Sequence, residues 1–198
     1  MNAKALYARG VDVSYWQRAI TWPAVLATGV TFAFLRVSDG LTADRWFERN
    51  WREAGNLGLL RGAYHLLRPE RDGQAKLVAT LLAGAPLELG LYADLEIVGL
   101  NGPRVQRFLD AMDDRRGCVT HIYSRASFLG PMGAVPWREG RHLWIADPRH
   151  SWPVLPAGWL EWEFWQFGQS EIDFRTVDLN LYHGTAEDLN ARYGGGGG

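Results

Sequence analysis

Eight apolar runs of β-strand length are spread along the chain, and helical stretches separate the first of them. The predicted strands cover 10–14, 31–38, 60–67, 87–96, 119–124, 142–147, 163–167 and 176–181. The predicted helices cover 22–27, 44–54, 73–82 and 103–115. Because parallel strands need long and usually helical crossovers, this alternation predicts an α/β fold built as a TIM-like barrel.

The later part of the chain has a different character. After residue 124 the connections are rich in glycine and proline, and no clear helix is predicted there. The barrel should therefore become irregular toward its end. At 198 residues the chain fits one catalytic barrel domain, expected over 1–193, and the glycines of 194–198 are expected to form a flexible tail.

Polar or aromatic side chains lie at the carboxyl end of nearly every predicted strand. They are Asp12, Ser14, Arg36, Tyr64, His65, Asp94, Glu96, Tyr123, Trp144, Asp147, Gln166, Asp178 and Asn180. In barrels of this kind the active site forms at the carboxyl ends of the strands. Their convergence predicts a polar cleft with an aromatic rim.

Asp94 and Glu96 are the most informative of these residues. Side chains alternate along a strand, so the two acids should share one face with Cα atoms roughly 6.5 Å apart. Two carboxylates this close raise one another's pKa, which suits a site that needs one proton donor and one anion. A solvated strand end gives the same short pattern, but with the polar cleft the pair favours glycoside hydrolysis.

The chain has 10 tryptophans, an unusually high number. Trp16, Trp144 and Trp165 lie beside predicted strand ends and are candidate platforms for sugar rings, whose apolar faces stack on aromatic side chains. Core packing is the default expectation for most tryptophans, and it is the interpretation of Trp22, Trp46 and Trp51, which lie in helical stretches.

Eight segments occur in an order that resembles glycoside hydrolase family 25, the Chalaropsis-type lysozymes, which include phage endolysins. They are Gly10-Val11-Asp12-Val13-Ser14 with Gln17, Phe32-Ala33-Phe34-Leu35-Arg36, Gly62-Ala63-Tyr64-His65, Asp94-Leu95-Glu96, Ile122-Tyr123-Ser124, Leu143-Trp144-Ile145-Ala146, Trp165-Gln166-Phe167 and Val177-Asp178-Leu179-Asn180. The resemblance covers about residues 9 to 184. Each segment alone is a weak signal, but eight in the right order are specific.

The resemblance implies a muramidase that cuts the β-1,4 bond between N-acetylmuramic acid and N-acetylglucosamine in bacterial peptidoglycan. It implies an irregular barrel of five βα units followed by three further strands. By residue, it makes Glu96 the general acid and Asp94 its partner carboxylate, with Asp12 and Asp178 as further acids of the cleft. The expected substrate-binding residues are Tyr64, Tyr123, Gln166, Trp144 and Asn180.

Two departures from the family pattern concern the groove walls. Leu66 follows Tyr64 and His65 where the family commonly has an aromatic residue, and Asp147-Pro148 follows the Trp-Ile-Ala segment where an aromatic is usual. The local shape of the groove is expected to differ at both places.

The stereochemical course stays open, because a same-face strand pair spans the carboxyl separations of both retaining and inverting enzymes. We favour a substrate-assisted route in which the 2-acetamido group attacks the anomeric carbon. Asp94 would stabilise the resulting oxazolinium, and like charges on Asp12 and Asp178 would keep Glu96 protonated.

Other activities fit the sequence less well. Chitinase-like barrels carry a further aspartate two residues before the Asp94 pair, where this chain has Tyr92. A zinc amidase would need ligand spacing that the histidines at 65, 121, 142, 150 and 183 do not show, so no metal or other cofactor is expected. A non-catalytic glycan-binding barrel is the main alternative, although it would have no need of four acids.

Composition limits the partners. The net charge of −1 favours neither nucleic acid nor an anionic membrane surface, and the single Cys118 excludes an internal disulfide. Bacterial peptidoglycan is the expected partner, met by a monomer without membrane insertion. Since residues 1–9 contain no apolar leader, we expect a phage lysin held in the host cytoplasm or carried in the virion. A mature secreted enzyme is the alternative.

Overall fold

A computed structural model describes residues 6–69, 72–132 and 136–195. The strands are β1 (Arg9–Val13), β2 (Phe32–Asp39), β3 (Thr42–Ala43), β4 (Leu60–Leu66), β5 (Leu91–Leu95), β6 (His121–Ser124), β7 (Leu143–Ala146), β8 (Phe164–Ile172) and β9 (Arg175–Tyr182). The helices are α1 (Trp22–Leu26), α2 (Phe47–Asn56), α3 (Gln74–Leu81), α4 (Gly102–Arg116), α5 (Ala126–Leu129) and α6 (Ala186–Tyr193).

Eight of these strands close into a barrel. The order β1-β2-β4-β5-β6-β7-β8 is parallel throughout, and β9 pairs antiparallel with both β8 and β1 to complete the ring. The short β3 pairs only with β2, at the edge of the barrel. The predicted α/β barrel that is regular at first and irregular later is confirmed.

The apolar side chains form two layers because strand residues alternate between the two faces of the sheet. Phe32 and Phe34 point into the barrel, whereas Ala33 and Leu35 pack outward beneath the helices. Inside, the Phe34 and Trp144 rings stack with their centroids 4.2 Å apart. These aromatic side chains fill the interior of the barrel, so a ligand can bind only at the ends of the barrel.

Helix α4 shows how local sequence sets an element. The side chain of Asn101 accepts a hydrogen bond from the backbone N–H of Arg104 at the start of the helix, and Gly117 ends it in the left-handed conformation with φ of 65°. The predicted apolar face of this helix is confirmed. Its buried residues are Val105, Phe108, Leu109 and Met112.

The fifth strand and the last helix differ from the sequence prediction. Strand β5 begins at Leu91 and not at residue 87, because Gly90 turns the chain with φ of 83°. The expectation that no clear helix follows residue 124 was wrong for α6. Thr185 and Asp188 form a capping box that starts this helix, and its Leu189 packs against the interior aromatic cluster.

The end of the chain was predicted to be a flexible glycine tail. Helix α6 ends at Tyr193, and residues 196–198 of the predicted tail lie outside the described part of the chain. Among the described residues, no helix is long and apolar enough to cross a membrane.

Candidate active site

A cleft of about 360 Å³ opens where the barrel strands end. Its walls combine acids, aromatic rings and two arginines. The lining residues are Asp12, Ser14, Tyr15, Trp16, Gln17, Arg36, Asp39, Tyr64, Leu66, Arg68, Asp94, Glu96, Tyr123, Trp144, Gln166 and Asp178. The structure therefore brings together all four acids that the sequence singled out.

Asp12 is a buried carboxylate at the end of β1. It accepts hydrogen bonds from the side-chain amides of Gln166 at 2.9 Å and Asn180 at 2.8 Å, both on Oδ2. Asp178 is its direct neighbour across the β1–β9 pair. Burial and then the charge of Asp178 raise the pKa of Asp12 to about 7, although the two amide hydrogen bonds oppose this shift.

Asp94 lies on β5 and is also buried. Its Oδ1 has no hydrogen-bond partner among the described residues. Burial, followed by the charges of Glu96 and Asp12, raises the pKa of Asp94 well above its usual value. The sequence predicts Asp94 as the anion of the pair, and its burial opposes that ionised form.

Glu96 and Asp178 are more accessible. Glu96 follows the last residue of β5, its side chain is 35 % exposed, and its Oε2 is 3.4 Å from a terminal nitrogen of Arg125. Asp178 is half-buried on β9 and accepts a 2.8 Å hydrogen bond from Gln169. Burial raises the pKa of Asp178, and the Gln169 hydrogen bond partly offsets that rise.

Two tyrosines and a glutamine form part of the cleft wall. The hydroxyl of Tyr123 donates to Oε1 of Gln166 at 3.0 Å, and the amide of the same glutamine holds Asp12. Burial raises the pKa of both Tyr64 and Tyr123, so both hydroxyls remain protonated donors. Gln166 thus links the aromatic wall to the acids.

The tryptophans near the strand ends have three different environments. Trp16 lines the cleft with 70 % of its surface exposed, and its ring lies 4.3 Å from that of Tyr15. Trp144 forms the floor, only 1 % exposed, and its indole N–H donates to Asn180 at 2.8 Å. Trp165 is fully buried and does not line the cleft, so the prediction that it is a platform for a sugar ring was wrong.

Three predicted strand-end residues do not line the cleft. Asn180 is fully buried and holds both Asp12 and Trp144 in place. His65 is enclosed between Ser38 and Gln74, and burial lowers the pKa of His65 to about 4. Asp147 binds its own loop and lies away from the acids.

Sequence reasoning missed several lining residues, namely Tyr15, Asp39 and Arg68, together with Arg125 beside Glu96. Asp39 offered a signal, because it closes β2 and so lies at the mouth of the barrel. The other three lie in loops beyond the strand ends, where periodicity carries no information.

The family model for glycosyl hydrolases family 25 matches residues 11–173. This chain belongs to that family. A protein named YegX from Escherichia coli O6:H1 is 31 % identical over 91 % of this chain and 71 % of its own length. Lysozyme M1 of Streptomyces globisporus is 29 % identical over 92 % of this chain and 70 % of its own.

The fold of this family 25 member also has solved counterparts. One counterpart is the crystal structure of the bacterial lysozyme from Streptomyces coelicolor, with a TM-score of 0.79 and 26 % sequence identity. The superposition covers 94 % of this chain and 97 % of the lysozyme chain. Family membership and these likenesses make the chain a glycoside hydrolase of the lysozyme type.

Proposed function

We propose that this family 25 enzyme hydrolyses the β-1,4 bond between N-acetylmuramic acid and N-acetylglucosamine in bacterial peptidoglycan. The observation that carries the proposal is the gathering of four carboxyl groups in one cleft at the barrel mouth. Burying several carboxyl groups side by side destabilises the folded protein, and a barrel that only bound glycans would have no use for this arrangement. An active site that transfers protons needs it, because neighbouring carboxyl groups shift one another's pKa.

Glu96 is the proton donor in this proposal. Its side chain lines the cleft and is partly exposed, so the glycosidic oxygen between two sugar rings can approach it. As the bond between the anomeric carbon and the leaving oxygen breaks, Glu96 transfers its proton to that oxygen. In the second half of the reaction it takes a proton from the attacking water and is restored.

Asp94 supports the substrate's own nucleophile. The acetamido oxygen attacks the anomeric carbon and forms an oxazolinium, whose N–H needs an acceptor. Asp94 lines the cleft, and its Oδ1 has no partner among the described residues, so accepting this N–H would break no existing hydrogen bond of that oxygen. Positive charge developing on the oxazolinium stabilises the ionised form of Asp94 and so opposes the burial that raises its pKa.

Asp12 and Asp178 influence the protonation of the cleft. The Asp12 charge contributes to the raised pKa of Asp94, and Glu96 in turn contributes to that of Asp12. Asp12, Asp94 and Asp178 therefore hold protons more readily than isolated carboxyl groups do. Asn180 acts behind these acids, because it orients Asp12 and the Trp144 floor from a fully buried position.

The purified protein should clear suspended bacterial cell walls and release new reducing ends that belong to muramic acid. Borohydride labelling of the digest identifies the sugar at each new end. Label on glucosamine would mean that the other glycosidic bond is cut. New amino termini without labelled sugar would mean that the protein is an amidase or peptidase.

Excess EDTA should leave the rate of wall clearing unchanged. Among the described residues, no group of three or more His, Cys, Asp or Glu side chains is placed to hold a metal ion. A titration of EDTA followed by dialysis checks this. Activity lost in EDTA and restored by zinc would return a metal-dependent amidase to consideration.

A further inference from the structure

A second and larger cavity, about 780 Å³, adjoins the catalytic cleft. It lies beside the β2–β3 hairpin. Its lining is Tyr15, Arg36, Asp39, Gly40, Leu41, Thr42, Ala43, Asp44, Arg45 and Arg68. Four of these, Tyr15, Arg36, Asp39 and Arg68, also line the cleft, so the two spaces share a wall. We call this space the side cavity.

Arg36 stands at the junction of the cleft and the side cavity. Its side chain is only 8 % exposed, and its Nε donates to Oδ2 of Asp44 at 3.1 Å. Its guanidinium also lies over the Tyr15 ring, 4.7 Å from the centroid. The terminal amino groups of Arg36 donate no hydrogen bond to any described residue. These nitrogens are not among the buried side-chain atoms that lack a partner, so they reach the open space of the cavity and can donate to a ligand there.

The acids of the side cavity are already engaged. Asp44 accepts on Oδ2 from the Tyr15 backbone N–H as well as from Arg36, and on Oδ1 from the Trp46 backbone N–H. Asp39 binds Arg68 through two hydrogen bonds of 2.6 and 2.9 Å.

Arg45 completes the wall of the side cavity. It is exposed and forms no ion pair within the described part of the chain. Among the described residues that line the side cavity, three are arginines and two are aspartates that already accept hydrogen bonds, so this lining carries a net positive charge beside an acidic cleft. The side cavity is thus suited to an anion.

We propose that the side cavity receives the peptide stem of the muramic acid residue, and that Arg36 and Arg45 bind a stem carboxylate. This rests on the proposed function. The sugars of the glycan strand are otherwise neutral, so its anions are the carboxylates carried on muramic acid. Arginine forks match a planar carboxylate with two parallel hydrogen bonds.

Size favours the stem over a bare lactyl carboxylate. A space of about 780 Å³ lies within the range of cavities that enclose ligands much larger than a carboxylate. Leu41, Ala43 and Tyr15 also give the wall an apolar part, which fits the small aliphatic side chains of a stem peptide.

The test compares kcat/KM on soluble glycan chains that carry peptide stems with kcat/KM on chains stripped by an amidase, which keep only lactyl carboxylates. For Arg45→Ala, the ratio of the first value to the second should fall about tenfold, the effect of one charge-assisted hydrogen bond. Arg36→Lys, which keeps the charge beside Asp44 but loses the fork, should lower the same ratio. Arg52→Ala removes an exposed arginine from α2, outside both spaces, and should not change it.

Binding gives a readout that does not depend on turnover. Calorimetry with a disaccharide–peptide fragment should show a Kd about tenfold weaker for Arg45→Ala than for the wild type. An unchanged ratio and an unchanged Kd would overturn the stem proposal. Equal losses on both substrates would overturn it in favour of the lactyl carboxylate. A wild type that binds the fragment but cuts neither chain would refute the proposed function and leave the side cavity assignment standing.

Discussion

Replacing Glu96 with glutamine should lower kcat by a factor of about 10² to 10⁴, the usual contribution of a positioned acid–base group. Glutamine has the shape of glutamate but carries no carboxyl proton to give to the leaving oxygen. The side chain is partly exposed and makes one long contact with Arg125, so the fold should be unaffected. Wall clearing and reducing-end release measure the loss.

The matched control for this change is Glu48→Gln, which alters an exposed acid on α2 and should leave kcat at the wild-type level. Circular dichroism and binding to cell walls should be native for both variants. If Glu96→Gln retained more than about a tenth of wild-type activity with a native spectrum, the acid would have to be another carboxyl of the cleft.

The regular half of the barrel could be predicted from the sequence because its signals are local. Helix α4 has a capping asparagine, a four-residue apolar face and a terminal glycine, all within one stretch of chain. Strand β2 has an unbroken apolar run from Phe32 to Leu35. In such segments local preference and tertiary packing agree, so the pattern is sufficient.

Two features that the sequence pattern did not predict, the start of β5 and the direction of β9, depend on backbone conformation and on pairing between distant segments. Strand β5 begins late because Gly90 adopts a positive φ inside an otherwise apolar run. Strand β9 is antiparallel to both of its neighbours, although its side-chain pattern is that of any half-buried strand. Helix α6 did have a local signal in the Thr185 and Asp188 capping box, which was not used.

The site followed from topology more than from any motif. Asp12, Asp94 and Asp178 are far apart in sequence, but each lies where a barrel strand approaches the mouth. Their depth could not be predicted in the same way. Whether an acid at a strand end is solvated or buried depends on loops from other βα units. The burial that raises the pKa of Asp94 is therefore seen only in the structure.

The burial of Asp12 in the cleft should lower the stability of the folded protein. Asp12→Asn should raise the free energy of unfolding at pH 7 by a few kcal/mol, since a shift of one pKa unit corresponds to about 1.36 kcal/mol. Asparagine keeps an oxygen for the Gln166 and Asn180 amides while removing the buried charge and its repulsion with Asp178. Activity should fall as stability rises.

The pH dependence gives this prediction its sign. The pKa of Asp12 is about 7 in the folded protein and near its usual 3.8 in the unfolded chain. Below pH 3.8 both states are protonated and the aspartate carries no penalty. Between about pH 4 and 7 the unfolded chain ionises first, so wild-type stability falls as pH rises. The advantage of Asp12→Asn should therefore be near zero at pH 4 and largest at pH 7.

Urea unfolding followed by tryptophan fluorescence at pH 4, 5.5 and 7 measures this difference. Asp114→Asn is the matched control, because Asp114 is exposed on α4 and should show no such growth. Asp94, whose pKa burial also raises, should keep part of the pH slope in Asp12→Asn, so the slope should shrink without vanishing. A variant no more stable than the wild type at pH 7 would mean that Asp12 is already ionised and well solvated there, and that burial does not raise its pKa.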